Sequence, residues 1–328
     1  MTMSAKPAAS PKSLLINRKK FAVLTGGIGR ERDISIQSGT CVAEAMKKAG
    51  LNTMTFDIRP DNMNILEDKS IDVFFLALHG KFGEDGQLQW ILEDKSLIYT
   101  GSGPEASRLA FDKMAGKKAF IKAGIQTPPA VIFNGSTDAE KMGKQLRELG
   151  DRYVIKPIRQ GSSVGVSIVD ELQKAIAAGR DVLKEFGDCM VEKFIAGREL
   201  TVGVLCGEAL PIIEIRPKSS FYDYRAKYVD EQTKFLFDTI TDAALTQRIQ
   251  KTALDCFNAL GCRHMARVDL ISGEDGKLYV LEVNTIPGFT THSLLPKAAA
   301  KIGLSMSDLC VKIIRTALED KRIAVSNI

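Results

Sequence analysis

The first hundred residues contain two patterns of apolar residues, continuous runs and a helical spacing. Continuous apolar runs, such as VFFLAL at 73–78, are typical of strands that are covered on both faces. From Ile34 to Lys48, small or apolar residues recur at helical spacing. The predicted strands lie at 20–25, 53–57 and 72–78. Strands that alternate with helices predict a parallel, doubly wound sheet over residues 20–104, and therefore an α/β fold class.

Two glycine-containing segments directly follow strands of this predicted sheet. Gly26-Gly27 follows the first strand, and His79-Gly80 follows the last. Ligands of open α/β sheets bind at the carboxyl ends of strands, so Glu31 and His79 are candidate binding residues. Both have a structural alternative. A carboxylate at a helix start is stabilised by the helix dipole, and a single histidine is often part of the fold.

After Thr127-Pro128-Pro129 the pattern changes to short strands. The predicted strands lie near 131, at 153–156 and at 166–169, and a helix is predicted at 139–149. Two of these strands flank a loop, Gly161-Ser162-Ser163-Val164-Gly165, with no helix after it. This arrangement predicts a small antiparallel unit over about 113–192.

The last third of the chain predicts a second group of strands and several helices. The strands are at 190–194, 200–205 and 209–215, and the helices are at 241–260, 293–302 and 306–319. Between them, residues 216–240 are polar, rich in Tyr and Lys, and without periodicity, which is typical of a functional loop or lid. The predicted domains are a tail (1–19), an N-terminal α/β domain (20–104), a central subdomain (105–191), a C-terminal subdomain (192–318) and a second tail (319–328).

Composition narrows the class of protein. A length of 328 residues suggests two or three domains, and a net charge of +5 is too small to indicate nucleic-acid binding. No apolar run reaches the roughly 20 residues of a membrane span. The first 20 residues lack the apolar core of a signal peptide, so we expect a disordered tail and a cytoplasmic protein. The six cysteines have no metal or redox spacing and are expected to be reduced core thiols.

Two short runs near the C-terminus predict a metal site. Arg267-Val268-Asp269 and Glu282-Val283-Asn284 each place two polar residues at i and i+2, on one face of a strand. Adjacent strands would bring Asp269, Glu282 and Asn284 together. Two carboxylates and an amide oxygen suit Mg²⁺ held against phosphates, although a cross-strand salt bridge is the simpler alternative.

Other residues suit the binding of a nucleotide. The 161–165 loop has glycines that let backbone N–H groups approach an anion and serines that add donors, but a plain hairpin turn is the alternative. Lys156 ends an apolar strand and needs an anionic partner, whereas Lys113 alone could be a solvated helix residue. Glu192 and Glu199 flank a hinge that offers backbone groups to adenine and a carboxylate to ribose, or forms a surface turn.

These runs, taken in order, resemble those of the D-alanine–D-alanine ligases of the ATP-grasp superfamily. No single run is specific, but nine occur in the expected order over residues 20–318. They are Gly26-Gly27 with Glu31-Arg32, Leu78-His79-Gly80 with Gly83-Glu84-Asp85-Gly86, Thr100-Gly101-Ser102-Gly103, Val154-Ile155-Lys156-Pro157, the 161–165 loop, Phe221-Tyr222-Asp223-Tyr224, Ala226-Lys227-Tyr228, Arg267-Val268-Asp269, and Glu282-Val283-Asn284-Thr285 with Pro287-Gly288.

The resemblance implies an ATP-grasp fold in which two α+β subdomains clasp ATP, and a reaction that proceeds through an acyl phosphate. ATP would phosphorylate the carboxylate of one D-alanine, and the amine of a second D-alanine would displace phosphate. Two Mg²⁺ ions, or Mn²⁺, would be held by Asp269, Glu282 and Asn284. The residues implied to contact ATP are Lys113, Lys156, Ser162, Ser163, Glu192, Lys193, Phe194, Ile195, Glu199 and Phe221.

The resemblance also implies the residues that bind the amino acids. Glu31, with His79 nearby, would receive the ammonium of the first D-alanine, and Glu31, Ser162 and Tyr228 would form a hydrogen-bonded link to the 216–240 lid. Arg267 and the N–H of Gly288 would stabilise the oxyanion. The remaining substrate residues are Lys227, Ser293 and Leu294. A homodimer and a role in peptidoglycan precursor synthesis are further implications.

The sequence departs from the family pattern in two places. Ile28-Gly29-Arg30 replaces small polar residues, and Arg30 is expected to approach Glu31 and compete for it. Trp90 is bulky for its position. Ligases that form D-Ala–D-Lac or D-Ala–D-Ser are rival interpretations, and Tyr228 favours D-alanine over D-lactate. A non-enzymatic nucleotide-binding regulator would be expected to lack one of Arg267, Asp269, Glu282 and Asn284, and all four are present.

Overall fold

A computed structural model describes residues 16–133, 139–217 and 233–320 of the chain. Within these ranges the elements follow in the order β1 (Lys20–Gly26), α1 (Arg32–Lys48), β2 (Asn52–Ile58), β3 (Val73–Leu76), α2 (Gln87–Asp94), α3 (Pro104–Phe111), α4 (Lys113–Lys122), β4 (Ala130–Ile132), α5 (Ala139–Leu149), β5 (Tyr153–Lys156), β6 (Ser167–Val169) and α6 (Leu172–Phe186). They continue with β7 (Met190–Lys193), β8 (Gly197–Leu205), β9 (Glu208–Ala209), β10 (Ile213–Arg216), β11 (Lys234–Leu236), α7 (Ala243–Ala259), β12 (Met265–Gly273), β13 (Leu278–Asn284), α8 (Leu294–Lys301) and α9 (Met306–Glu319).

The N-terminal strands form a parallel sheet in the order β2-β1-β3, as the alternation of strands and helices predicts. The strands are apolar at consecutive positions because both faces are covered. Phe21 and Phe75 pack on one side, in a cluster with α1 and α9, and Phe74 packs on the other. The carboxyl ends of β1 and β3 therefore open onto one edge, where the segments around Glu31 and His79 begin.

The central strands form an antiparallel sheet in the order β4-β7-β5-β6. Helices α5 and α6 contribute Leu146 and Val182 to the core of this layer. Strands β5 and β6 pair directly, so the chain between them, which carries Gly161–Gly165, forms a loop at the end of the sheet. The predicted antiparallel pairing is confirmed.

The third sheet is the largest and has the order β11-β10-β8-β12-β13, with β9 also paired to β8. Helix α7 packs on it through Ile249, Ala253 and Cys256, which recur at helical spacing and are buried. The side chain of Asp242 begins this helix by accepting hydrogen bonds from the N–H groups of Ala244 and Leu245.

The structure corrects two predictions in this region. The single strand predicted at 209–215 is wrong, because β9 ends at Ala209 and β10 starts at Ile213, and Pro211 between them has no N–H to continue the ladder. The predicted loop 216–240 is wrong in part, since Lys234–Leu236 form β11 at the sheet edge. Residues 218–232 of that loop lie outside the described residues. None of the described helices is long and apolar enough to cross a membrane, and the six cysteines are free thiols.

Candidate active site

The predicted metal residues are neighbours on β12 and β13. These strands are antiparallel, and their register pairs Asp269 with Glu282 and Arg267 with Asn284. Arg267 binds Asp269 through two hydrogen bonds, from Nε to Oδ1 at 2.9 Å and from Nη2 to Oδ2 at 2.6 Å. Asn284 Nδ2 donates to Asp269 Oδ2 at 3.3 Å, so the amide oxygen of Asn284 points away from Asp269. The strand geometry inferred from the i, i+2 spacing is confirmed.

The donor set of this cluster fits a hard divalent cation. It offers two carboxylates and one amide oxygen, and such ligands suit Mg²⁺ when phosphate oxygens complete the coordination. Over the described parts of the chain, no group of three or more His, Cys, Asp and Glu side chains has the geometry of a self-sufficient metal centre. The cluster therefore fits a metal that arrives with a phosphate ligand rather than one held by protein alone.

A cavity of about 520 Å³ lies between the central sheet and the large sheet. Lys113, Lys156 and Glu192 line it on one side, and Asp269 and Glu282 on the other. Of the predicted ATP residues in the described ranges, all but Ser162 line this cavity. The lining residues among them are Lys113, Lys156, Ser163, Glu192, Lys193, Phe194, Ile195 and Glu199. Phe221 lies outside the described residues. The cavity is within the usual size range of ligand pockets.

A buried ion triad joins Glu192 to Lys117 and Lys156, and Glu192 and Lys156 form part of the wall of this cavity. Glu192 is 2% exposed, and its two oxygens lie 2.6 Å from Lys117 Nζ and 2.6 Å from Lys156 Nζ. Burial alone would raise the pKa of Glu192, but the two ammonium groups outweigh it and lower that pKa. Burial lowers the pKa of Lys117 to about 8, against the attraction of Glu192. Lys156 was expected to need an anionic partner, and the structure shows that this partner is Glu192.

Lys117 is a functional candidate that sequence reasoning missed. Its Nζ also donates to Thr127 Oγ1 at 2.6 Å and to the carbonyl of Pro128 at 2.7 Å. Lys117 lies four residues after Lys113 on α4, a spacing that places both near one helix face. That spacing was the available signal, but a helix in which several lysines alternate with small and apolar residues gives no reason to choose this one.

Sequence reasoning also missed a second charge cluster, which lines the same cavity. Glu214 on β10 is buried, and Arg198 and Arg216 both donate to it, the latter at 2.6 Å. Burial would raise the pKa of Glu214, but these hydrogen bonds outweigh it and lower the pKa to about 2. Glu214 and Arg216 lie two residues apart on β10, whereas Arg198 lies on β8 and reaches Glu214 through the pairing of these strands. Together, these two arginines and one glutamate carry a net charge of +1 at the wall of this cavity.

A second cavity, of about 420 Å³, opens beside the first. Its walls bring together the predicted substrate residues of the described ranges, namely Glu31, His79, Ser162, Arg267, Gly288, Ser293 and Leu294, together with Glu282 and Asn284. Glu282 lines both cavities, and Lys113 Nζ lies 3.5 Å from its Oε2. The two cavities therefore meet at the candidate metal residues. Lys227 and Tyr228 lie outside the described residues.

Glu31 is a desolvated carboxylate in the wall of the second cavity. It is 3% exposed, and Ser162 Oγ donates to its Oε1 at 3.1 Å. Burial, with the nearby charge of Glu84, raises the pKa of Glu31. Gly80 and Gly161 approach it so closely that a Cβ on either would collide with its oxygens. A carboxylate that is buried beside an open cavity, with a hydroxyl as its direct partner, is suited to receive a cation.

His79 is held in the fold by two serines of α1. The backbone N–H of His79 donates to Ser35 Oγ at 2.9 Å, and its ring Nε2 lies 3.0 Å from Ser38 Oγ. Its Nδ1 is 3.9 Å from Glu84 Oε1. These contacts support the structural interpretation of His79, and the residue also lines the second cavity, so its binding role stays a prediction.

The side chains of Arg30 and Trp90, which depart from the family pattern, line neither cavity. Arg30 was expected to compete for Glu31, and this expectation is wrong, because its Nη1 pairs with Glu185 Oε1 on α6 at 2.9 Å. Trp90 lies on α2 with 61% of its surface exposed and does not line either cavity. The bulky side chain is accommodated because it points to solvent.

A three-sheet fold in which a nucleotide-sized cavity meets a second cavity at Glu282 is the arrangement expected of the ATP-grasp class of ligases. Comparisons with known proteins agree. The family described as "D-ala D-ala ligase C-terminus" matches residues 120–315. D-alanine–D-alanine ligases from Syntrophotalea carbinolica and Methylacidiphilum infernorum are 41% and 40% identical over 92% and 90% of this chain, and over 97% and 94% of their own lengths.

Solved structures give the same result. A D-alanine–D-alanine ligase from Bacillus anthracis in complex with ATP is 34% identical, with a TM-score of 0.80 over 92% of this chain and 98% of that one. The VanG D-Ala:D-Ser ligase from Enterococcus faecalis is 31% identical, with a TM-score of 0.79 over 92% and 99%. The chain belongs to the D-alanine–D-alanine ligase family and has the ATP-grasp fold, so the resemblance found in the sequence is confirmed.

Proposed function

We propose that the protein joins two D-alanines into D-alanyl-D-alanine at the expense of ATP, and so supplies a precursor of peptidoglycan. The observation that carries this proposal is the junction of two cavities at Glu282. A nucleotide in the larger cavity would present its terminal phosphate to a carboxylate in the smaller one. Family membership supports the same reaction.

In the first step, a carboxylate oxygen of one D-alanine attacks the terminal phosphorus of ATP, and ADP leaves with the electrons of the broken bond. Glu31 pairs with the ammonium of this D-alanine, and the buried setting strengthens that attraction. Lys113 contacts both the candidate metal residues and the glycine-rich loop. Its Nζ lies 3.5 Å from Glu282 Oε2 and donates to the carbonyl of Gln160, just before the 161–165 loop, at 2.7 Å. Lys156 contributes positive charge on the nucleotide side.

In the second step, the amine of the other D-alanine attacks the acyl carbon, and phosphate leaves from a tetrahedral intermediate. Arg267 and the N–H of Gly288 are the proposed donors to the oxyanion, since both line the substrate cavity. Ser293 is the N-cap of α8, where free backbone N–H groups favour the carboxylate of the second D-alanine. Leu294 closes the same wall.

Asp269, Glu282 and Asn284 are the proposed ligands of two Mg²⁺ ions, or of Mn²⁺. When bound, the metal supplies neutralisation of phosphate charge, which is the main requirement of phosphoryl transfer. The protein's own part is positional, because Arg267 and Thr201 hold Asp269 by hydrogen bonds that include a 2.6 Å contact from Thr201 Oγ1. A homodimer in the cytoplasm remains the prediction from the family resemblance.

The test of this proposal is phosphate release from MgATP by the purified chain. D-alanine should support turnover with D-alanyl-D-alanine as the product, and L-alanine should not. Parallel reactions with D-alanine plus D-lactate or D-serine separate the rival ligases, of which the D-serine type has a solved relative with a similar fold. ATP binding without turnover dependent on D-alanine would contradict the proposal and favour the regulator.

The protonation of Glu31 should determine how kcat/KM for D-alanine decreases at acidic pH. Because burial raises its pKa, Glu31 takes up a proton at a higher pH than an ordinary glutamate, and the neutral acid no longer attracts an ammonium. We therefore expect kcat/KM for D-alanine to fall as pH decreases through that raised pKa. Glu31→Gln should lower kcat/KM by about a hundredfold and remove this acidic limb.

The pH profile of Glu31→Gln decides the assignment. A profile that keeps the same acidic limb would assign the limb to a group other than Glu31. Glu44→Gln, on the exposed face of α1, is the matched control and should keep the kcat/KM of the unmodified chain at every pH.

A further inference from the structure

Arg30 connects the segment that follows β1 to the end of helix α6, which packs on the central sheet. It lies in the segment between β1 and α1, next to Glu31. Its Nη1 is 2.9 Å from Glu185 Oε1, and its guanidinium carbon lies 5.2 Å from the centroid of the Phe186 ring. Glu185 and Phe186 are the last two residues of α6. We refer to these two contacts of Arg30 as the Arg30 bridge.

Phe186 links the Arg30 bridge to the glycine-rich loop, because its ring packs against Gly165. Gly165 ends the 161–165 loop with φ of +73°, and a Cβ placed there would lie 2.6 Å from Cε2 of Phe186. The ring is therefore packed against the loop itself. At the other end of the loop, Ser162 Oγ donates to Glu31 at 3.1 Å. Two adjacent residues, Arg30 and Glu31, thus hold the two ends of one loop.

We propose that Arg30 is a positioning residue, which holds the glycine-rich loop over the junction of the two cavities by binding the end of α6. The proposal rests on the proposed function, because that function makes the loop a cover for the reacting phosphate. Arg30 does not line either cavity, so its effect on substrates must pass through Phe186 and the loop.

The size of the effect follows from the exposure of the bridge. Arg30 and Glu185 are 59% and 54% exposed, so their ion pair is weak and screened by salt. A cation over an exposed ring adds a similar small amount. The Arg30 bridge therefore changes the fraction of molecules in which the glycine-rich loop is correctly placed, and it does not create the site. When only part of the population is competent to bind, the apparent affinity falls by that fraction, while the saturated rate is preserved.

The experiment compares Arg30→Met, Glu185→Gln and the charge exchange Arg30→Glu/Glu185→Arg. Arg30→Met should raise KM for D-alanine and for ATP by roughly threefold to tenfold, with kcat within about twofold of the unmodified chain. Glu185→Gln should give a smaller rise, because it leaves the ring contact. Each single charge reversal should raise KM, and the double exchange should restore it in part. Added salt should raise KM for the unmodified chain more than for Arg30→Met.

The matched control is Glu171→Gln, which breaks the exposed Glu171–Lys174 pair at the other end of α6. It should change neither KM nor kcat, which separates a specific bridge from a general effect on the helix. Unchanged KM values in Arg30→Met would overturn the proposal, and so would a fall of kcat with KM unchanged.

A measurement without turnover separates this proposal from the proposed function. Amide hydrogen exchange over residues 161–166 of the substrate-free protein should be faster in Arg30→Met than in the unmodified chain, and unchanged in Glu171→Gln. Faster exchange would support the bridge even if D-alanine supported no phosphate release, which would refute only the proposed function. Equal exchange in Arg30→Met and the unmodified chain would refute the bridge even in an active ligase.

Discussion

Glu282→Gln is expected to lower kcat by about a thousandfold, because one charged group at the point of phosphoryl transfer is removed. Glu282 is the residue that both cavities share, and it lies opposite Asp269 in the register of β12 and β13. The glutamine keeps the size of the side chain but offers one neutral oxygen to a metal. The substitution also removes the carboxylate charge that lies 3.5 Å from Lys113 Nζ. Phosphate release at saturating D-alanine and MgATP measures the loss.

The same variant should keep its fold. The Glu282 side chain is 22% exposed, and its strand is held by the β12–β13 ladder rather than by this carboxylate. The matched control is Glu274→Gln, at an exposed position in the turn of the same hairpin, and it should keep full activity. A Glu282→Gln protein with kcat within tenfold of the unmodified chain would remove Glu282 from the metal site and contradict the assignment.

The sequence predicted those parts of the site whose geometry is local. Side chains at i and i+2 share a strand face whatever the rest of the fold does, so the spacing groups Arg267 with Asp269 and Glu282 with Asn284. The short hairpin that pairs β12 with β13 then brings Asp269 to Glu282 and Asn284. The loop 161–165 was predicted for the same reason, because strands and glycines lie within one short stretch. Helix α9 was predicted with its observed ends, since Ser305 and Asp308 form a capping box before a strongly periodic segment.

The sequence did not predict contacts that depend on how separate layers meet. Lys117 becomes important only because β7 carries Glu192 to it from a distant part of the chain, and no periodicity encodes that meeting. Arg30 was assigned to its neighbour Glu31, whereas the packing of α6 supplies Glu185 as its partner. Proximity along the chain is a poor guide for a long, flexible cation, since several anions lie within its reach.

A second large effect is expected from Glu192→Gln, which should lower the free energy of unfolding by about 3 to 5 kcal/mol near neutral pH. The carboxylate is the anion between two buried ammonium groups, at 2.6 Å from each. Its loss leaves Lys117 and Lys156 as like charges in a site with little water. Lys117 keeps hydrogen bonds to Thr127 and Pro128, which satisfy its donors without balancing its charge. Chemical denaturation followed by circular dichroism measures the loss.

The matched control is Glu67→Gln. Glu67 also lies 2.6 Å from a lysine, Lys95, but this pair is on the surface. Water replaces the lost interaction there, so we expect the unfolding midpoint to stay nearly unchanged. The contrast between two pairs of equal length tests whether burial, rather than distance, determines the cost. Equal small losses in both variants would show that the triad contributes no more than a surface pair.

The pH dependence of the Glu192→Gln defect gives a sharper test. The pKa of Lys117 is already lowered to about 8 by burial, and Glu192 opposes that shift, so the variant should have a still lower pKa at Lys117. The unfolded chain then binds more protons than the folded chain, and the free energy of unfolding rises with pH. The defect should therefore be larger near pH 6 than near pH 9, where the folded variant has released its excess proton. A defect independent of pH would indicate lost packing instead of unbalanced charge.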